Sequence, residues 1–243
     1  IFGIGAASDP VAIHRRIGYL PGEWNLYDRL TGAETITYFA NLRGGVDRAY
    51  VDQLIQRLDL DPSRRFREYS RGNKQKVGLV VALQHKPELL VLDEPTAGLD
   101  PLVQQTFNEL LFESKAAGRT VFLSSHIISE VERTCDRVAI IREGRIVRLD
   151  TVDGVRALAA HEVQLRFAAP VPGAPFAAIP GVTDVVEEGR TLRMLVTGAI
   201  SPVVRLAAQH ELVDFVSREP SLEEVFLSEY ASRAVAAPAG PDR

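Results

Sequence analysis

The run from Tyr69 to Asp100, YSRGNKQKVGLVVALQHKPELLVLDEPTAGLD, constrains this chain more than any other stretch. Ser70-Arg71-Gly72-Asn73-Lys74-Gln75 reads as a short polar turn feeding an apolar helical pattern that starts after Asn73. A helix start of that kind leaves free N–H groups and the positive end of the helix dipole, which together suit a phosphate. Pro87 then breaks the chain. Leu89-Leu90-Val91-Leu92 is a continuous apolar run, the pattern of a parallel-sheet strand covered on both faces.

That strand ends in Asp93 and Glu94, at the carboxyl edge where open α/β sheets hold their ligands. One carboxylate there can hold a metal while the other takes a proton from water. With Mg²⁺ neutralising phosphate charge, this is the equipment of nucleotide hydrolysis. Gly98-Leu99-Asp100-Pro101 follows as a tight turn, with Asp100 suited to an N-cap and Pro101 to the first helical position. A later strand, Thr120 to Ser125, ends at His126, which is placed to hydrogen-bond a γ-phosphate oxygen.

In this order the motifs resemble the nucleotide-binding subunits of ABC transporters. Ser70 to Gln75 is similar to the family's signature loop, Leu89 to Asp93 to its Walker B strand and Gly98 to Asp100 to its D-loop. The resemblance implies Glu94 as catalytic base, Asp93 as the Mg²⁺ ligand, His126 as the switch histidine, and Ser70, Gly72, Asn73 and Asp100 as nucleotide-binding positions. Two positions depart from the pattern: Arg71 replaces the first of two adjacent glycines and Asn73 replaces a glutamine. Those changes leave Ser70 and Gly72 to make the phosphate contacts.

No glycine is followed by lysine, so G-x-x-x-x-G-K-[ST] is absent from the sequence. In the family that P-loop precedes the motifs found here. The expectation is a cassette lacking its front; a natural protein that has lost ATP binding is the alternative. Where many ABC cassettes carry a glutamine after an early strand, Gly22 and Glu23 stand here, following Ile17 to Leu20 and Pro21. Glu23 is either a replacement metal contact or an exposed loop acid.

The rest of the cassette reads from local signals. Trp24, Leu26, Tyr27 and Leu30 form an apolar cluster. Thr31 with Glu34 is a capping box for a helix to Leu42, and Asp47 caps a second helix. By resemblance these helices form the subdomain whose groove meets the membrane partner, although Trp24 also suits simple packing. Asp61 to Glu68 reads as a charged connector, and a helix from Leu102 to Ala117 ends at Gly118, a fitting left-handed cap. Two strands, Asp136 to Arg142 and Arg145 to Asp150, flank Glu143-Gly144, a two-residue hairpin signal.

Beyond residue 155 a second unit begins. Strands at 162–167, 182–187, 191–196 and 212–217, with a helix at 201–210, suggest a small βαββαβ sandwich of the ferredoxin-like kind. The expected architecture is an α/β, P-loop NTPase-like parallel sheet with a helical subdomain over 1–155. An α+β accessory domain follows over 156–230, with a final helix near Leu222, Val225 and Phe226, and 231–243 is a tail. This C-terminal arrangement resembles the extension of ATPases in drug-exporting and antibiotic-resistance ABC systems.

Composition excludes several classes. With 46% hydrophobic and 25% charged residues the chain is neither disordered nor fibrous, and no apolar run is long enough to span a bilayer. A net charge of −4 lacks the basic face that nucleic acid requires, and a single cysteine, Cys135, excludes an internal disulfide. The resemblance therefore implies an ATP-hydrolysing subunit of an exporter, using ATP and Mg²⁺ and paired with a second ATP-binding subunit, a homodimer. It would sit on integral membrane permease subunits at the cytoplasmic face. The other class left open is a silent or regulatory subunit that only completes a partner's ATP site.

Overall fold

The computed structural model describes residues 1–23, 28–156, 160–218 and 221–223. Trp24, Leu26 and Tyr27 of the expected groove, and the final helix and tail beyond Glu223, lie outside the described residues. The chain divides into two compact units, Ile1–His126 and Ile127–Arg243.

The first unit opens with α1 (Pro10–Arg16), whose N-cap Asp9 accepts a hydrogen bond from the Ala12 N–H. The sequence reading missed this helix. β1 (Ile17–Leu20), β2 (Leu89–Asp93) and β3 (Thr120–Ser124) form a parallel sheet with β2 central. Between β1 and β2 run α2 (Gly32–Leu42), α3 (Arg48–Arg57) and α4 (Arg71–Leu83), and α5 (Pro101–Ala116) connects β2 to β3.

The capping box is present as read: Thr31 Oγ1 accepts from the Glu34 N–H at 3.1 Å, and Glu34 Oε2 accepts from the Thr31 N–H at 2.8 Å. Asp47 caps α3, and Gly118 takes the left-handed conformation (φ +77°) that stops α5. α4 is buried over every position from Gln75 to Leu83, as its all-round apolar pattern demands, and packs against α2, α3 and β1.

Two expectations need correction. α4 begins at Arg71 with Ser70 as its N-cap, so the glycine-containing segment is the first helical turn rather than a turn before the helix. The reason is local: Ser70 Oγ accepts from the Asn73 N–H at 3.3 Å, which fixes the helix start three residues early. The second concerns β2, whose burial alternates instead of being complete. Leu90 and Leu92 are buried in the core, while Leu89 and Val91 are half-buried beside Tyr19 (56% exposed) and Phe122 (64% exposed). Among the described residues no layer covers that face. A cleft of about 920 Å³ lined by Val11, Tyr19, Phe39, Leu42 and Val91 runs along it and includes none of the acidic strand-end residues.

The charged connector also hides a core residue. Phe66 is fully buried and stacks edge-on against Tyr69, where the sequence reading assigned only solvated charge.

One half-buried histidine is expected to make this unit acid-sensitive. His85 Nε2 lies 3.1 Å from the Ile17 carbonyl, and burial, with repulsion from Arg43, pulls its pKa down to about 4. The unfolded chain takes a proton at His85 below about pH 6.5, a proton the folded protein refuses until about pH 4. Stability therefore rises with pH across that window and is lost as pH falls through it, by about 2 kcal/mol after allowance for partial exposure. Urea unfolding at pH 4.5 and 7 should show that difference, and His85→Gln should flatten it; an unchanged slope in the variant contradicts the assignment.

In the second unit, α6 (Ile128–Thr134) leads to a hairpin of β4 (Arg137–Arg142) and β5 (Arg145–Thr151), then α7 (Val152–Arg156). Glu143 (φ +50°) and Gly144 (φ +72°) are both left-handed, the geometry of the two-residue turn read from the sequence. This hairpin, read from the sequence as the close of the cassette, lies within the second compact unit. Leu222 is buried with Val152 and Val155, and its N–H donates to Glu132 Oε1 at 2.6 Å.

There follow β6 (His161–Phe167), α8 (Ala174–Ala177), β7 (Val182–Glu188), β8 (Thr191–Val196), α9 (Ser201–Ala207) and β9 (Leu212–Arg218). The sheet order β7-β8-β6-β9 is antiparallel throughout, which is the split βαββαβ arrangement. Val163, Leu165 and Phe167 of β6 alternate inward and close on Phe176, Val203 and Ala207 from its two helices. α8 is a single short turn with Pro175 in it, too brief to leave a periodic signal.

Candidate functional site

The carboxyl edge of β2 and β3 gathers the residues read as catalytic. Register pairs Asp93 with Ser124, so the last residue of each strand faces the other. Ser124 Oγ donates to Asp93 Oδ1 in a short hydrogen bond. The next residue, Glu94, turns sharply out of the strand with φ +46°, a left-handed conformation that costs a glutamate about 1 to 2 kcal/mol. Its N–H donates to both the carbonyl and the hydroxyl oxygen of Ser124, each at 3.2 Å. Strain of this size at a strand end, held by neighbouring hydrogen bonds, marks a side chain that must point in one direction.

That direction leads to His126. Its Nδ1 lies 2.8 Å from Glu94 Oε2, with the imidazole largely exposed (77%) and the carboxylate less so (29%). Glu94 and His126 are thus joined directly, although the sequence analysis assigns each a separate role. A carboxylate paired with an exposed imidazole at one sheet edge offers an acceptor for a proton from water beside a polar ring open to a ligand.

Asp93 suits a magnesium ion. Oδ1 is taken by Ser124, while Oδ2 faces the backbone of Gly22, where an added Cβ would stand 2.8 Å from it. No cluster of three or more His, Cys, Asp or Glu that could hold a metal occurs among the described residues. Mg²⁺ needs no such cage, because it keeps several waters and binds through one or two carboxylates together with substrate phosphates. Asp93 would supply the protein oxygen, and the ion when bound would neutralise phosphate charge. Glu23 is exposed one residue beyond Gly22.

The other read residues lie at the N-terminus of α4 and the loop packed on it. Ser70 and Arg71 are exposed at the tip, with Gly72 and Asn73 half-buried behind them. Gly72 has a reason beyond phosphate contact: an added Cβ would overlap the carbonyl oxygen of Gly98, so only glycine lets the helix approach the 94–98 loop so closely. Gly98 itself needs φ +75°. Asp100 caps α5, accepting from the N–H groups of Leu102 (3.1 Å) and Val103 (3.0 Å). Those bonds, the one from Val103 above all, hold its carboxyl below the usual carboxylate range.

Two contributors were missed by sequence reading. Ser124 was read only as strand, though a hydroxyl at the end of the strand beside the two acids is a usable signal. Gln75 was read as part of a polar turn, whereas its side chain is buried and donates to the carbonyls of Glu94 (3.0 Å) and Pro95 (3.1 Å).

Residues 6–97 match the family model described as ABC transporter. The bacitracin transport ATP-binding protein BcrA of Enterococcus faecalis is 35% identical over 150 residues, covering 60% of this chain and 49% of that protein. A solved ATP-binding subunit of an ABC transporter superposes with a TM-score of 0.60 at 34% identity, over 64% of this chain and 67% of the other. A dimeric ATP-binding cassette in a post-hydrolysis state, bound to ADP and Pi, shares the fold with a TM-score of 0.52 at 21% identity, over 59% of this chain and 67% of that one. The chain spans about half the length of the curated relatives it matches.

Proposed function

Because the chain belongs to the ABC transporter ATP-binding family, we propose that it serves as the ATP-hydrolysing subunit of an exporter, driving a separate membrane permease. The observation that carries this reading is the pairing of Glu94 with His126 at the same strand edge as Asp93. In it, Asp93 would hold Mg²⁺, Glu94 accepts a proton from the attacking water, and His126 hydrogen-bonds a γ-phosphate oxygen. Loss of that phosphate removes the His126 contact, which is how the site distinguishes ATP from its product.

Ser70 and Arg71 are exposed at the N-terminal tip of α4, and in this reading that tip completes the ATP site of a second copy. Two such copies bury two nucleotides between them, and hydrolysis opens the pair. A role in transport is supported by the likeness to BcrA, a bacitracin transport ATP-binding protein; the outward direction is part of the proposal. Dimeric action is supported by the shared fold of a cassette solved as a dimer. No helix among the described residues is long and apolar enough to cross a membrane. In the proposed arrangement the cassette works on membrane permease subunits from their cytoplasmic side. The division into a cassette over 1–155 and an accessory domain over 156–230 is part of the same proposal, with the ferredoxin-like sandwich regulating or stabilising the pair.

The test is Mg²⁺-dependent ATP turnover by the complete protein with its membrane subunits. Turnover that Glu94→Gln removes supports the reading, and turnover that survives the change contradicts it.

A further inference from the structure

We propose that Gln75 is a positioning residue for Glu94, tying the first turns of α4 to the loop that carries the carboxylate. This rests on the reading of Glu94 as the acceptor of the water's proton. Gln75 is 5% exposed, and its Nε2 donates to two successive carbonyls, Glu94 O at 3.0 Å and Pro95 O at 3.1 Å. A side-chain amide has two N–H donors, so the geometry uses its full donor capacity on this one bend of the chain.

The bend needs holding. Glu94 keeps a left-handed φ of +46°, and a strained peptide persists only where its surroundings fix it from more than one side. Ser124 grips the Glu94 N–H from β3, and Gln75 grips the Glu94 and Pro95 carbonyls from α4. The same helix meets the same loop again at Gly72 and Gly98. Two fixed points four residues apart on the loop make the start of α4 and the segment 94–98 move as one body. A phosphate that shifts the exposed tip at Ser70 therefore shifts Glu94 as well. Through this link the nucleotide bound across the interface reports to the carboxylate serving the chain's own nucleotide.

The experiment compares Gln75→Met, Glu94→Gln and the double variant in the complete protein with its membrane subunits. Methionine keeps the length and removes the donors. Gln75→Asn, which keeps an amide but draws it back by one methylene, supplies the same comparison from a milder change if the methionine variant does not fold. We expect kcat to fall by roughly ten- to a hundredfold with KM for ATP moved less than about threefold, because misplacement of a proton acceptor acts on the chemical step. In the Glu94→Gln background the second change should add less than about twofold, since both act through one group. A wild-type kcat in the Gln75 variants, or a full further loss on top of Glu94→Gln, overturns the role of Gln75. Unchanged turnover in Glu94→Gln alone overturns the reading of Glu94 instead.

Discussion

Replacing Glu94 with glutamine should lower ATP turnover by about 10²- to 10³-fold while leaving ATP binding intact. The amide has the same shape and can keep the contact with His126 Nδ1, now at 2.8 Å, but it cannot accept a proton at neutral pH. The change therefore separates geometry from chemistry. Phosphate release measured at saturating Mg-ATP gives the rate. Size-exclusion chromatography of the same sample should show a dimer that persists in ATP, because binding closes the pair and hydrolysis no longer opens it. Turnover within twofold of wild type would remove Glu94 from its role.

Gly72→Ala is the second large effect. One added methyl group at this position overlaps the Gly98 carbonyl oxygen, a backbone atom that cannot rotate away. Either α4 or the loop must shift. Overpacking of this kind costs about 1 to 3 kcal/mol, and here the displaced segment begins at Glu94, so turnover should fall by roughly a hundredfold as well. A thermal melt and a phosphate-release assay on the same preparation check both consequences. Normal stability with normal turnover would show that helix and loop are not in contact.

These two residues illustrate what could be read from the chain and what could not. The order of elements came through because each carries its own local chemistry: the Thr31 and Glu34 capping box, Gly118 after α5, Glu143-Gly144 between β4 and β5. The ferredoxin-like unit was legible because β6 and β8 alternate cleanly between one buried face and one exposed face. α1 escaped notice although Asp9-Pro10 is a fair helix start, since seven residues give too little periodicity to confirm it. Phe66 was hidden by the arginines around it.

At the site, the acids and the histidine were legible as residue types at a strand's end, but their pairing was not. His126 and Glu94 meet because β2 and β3 are neighbours in register, a relation 32 residues apart in the chain that no local pattern encodes. Gln75 shows the same limit. A buried amide one turn into a helix looks polar and exposed in sequence, and only the fold reveals that it reaches the next loop. Completeness of the β2 burial was overread, because a run of four apolar residues does not say how many layers cover it.

Sharing of each nucleotide between two copies is the claim from which the rest follows, and a complementation experiment tests it most directly. One version of the complete protein carries Ser70→Ala with Glu94 intact; the other carries Glu94→Gln with Ser70 intact. Each alone should be nearly inactive. Co-assembled with the membrane subunits, the mixed pair contains one site with both intact groups and one with both lost, so turnover should recover to a substantial fraction of wild type. If each copy instead builds a site from its own Ser70 and Glu94, every site in the mixture carries a defect, and turnover that stays at the level of the separate variants would contradict the account.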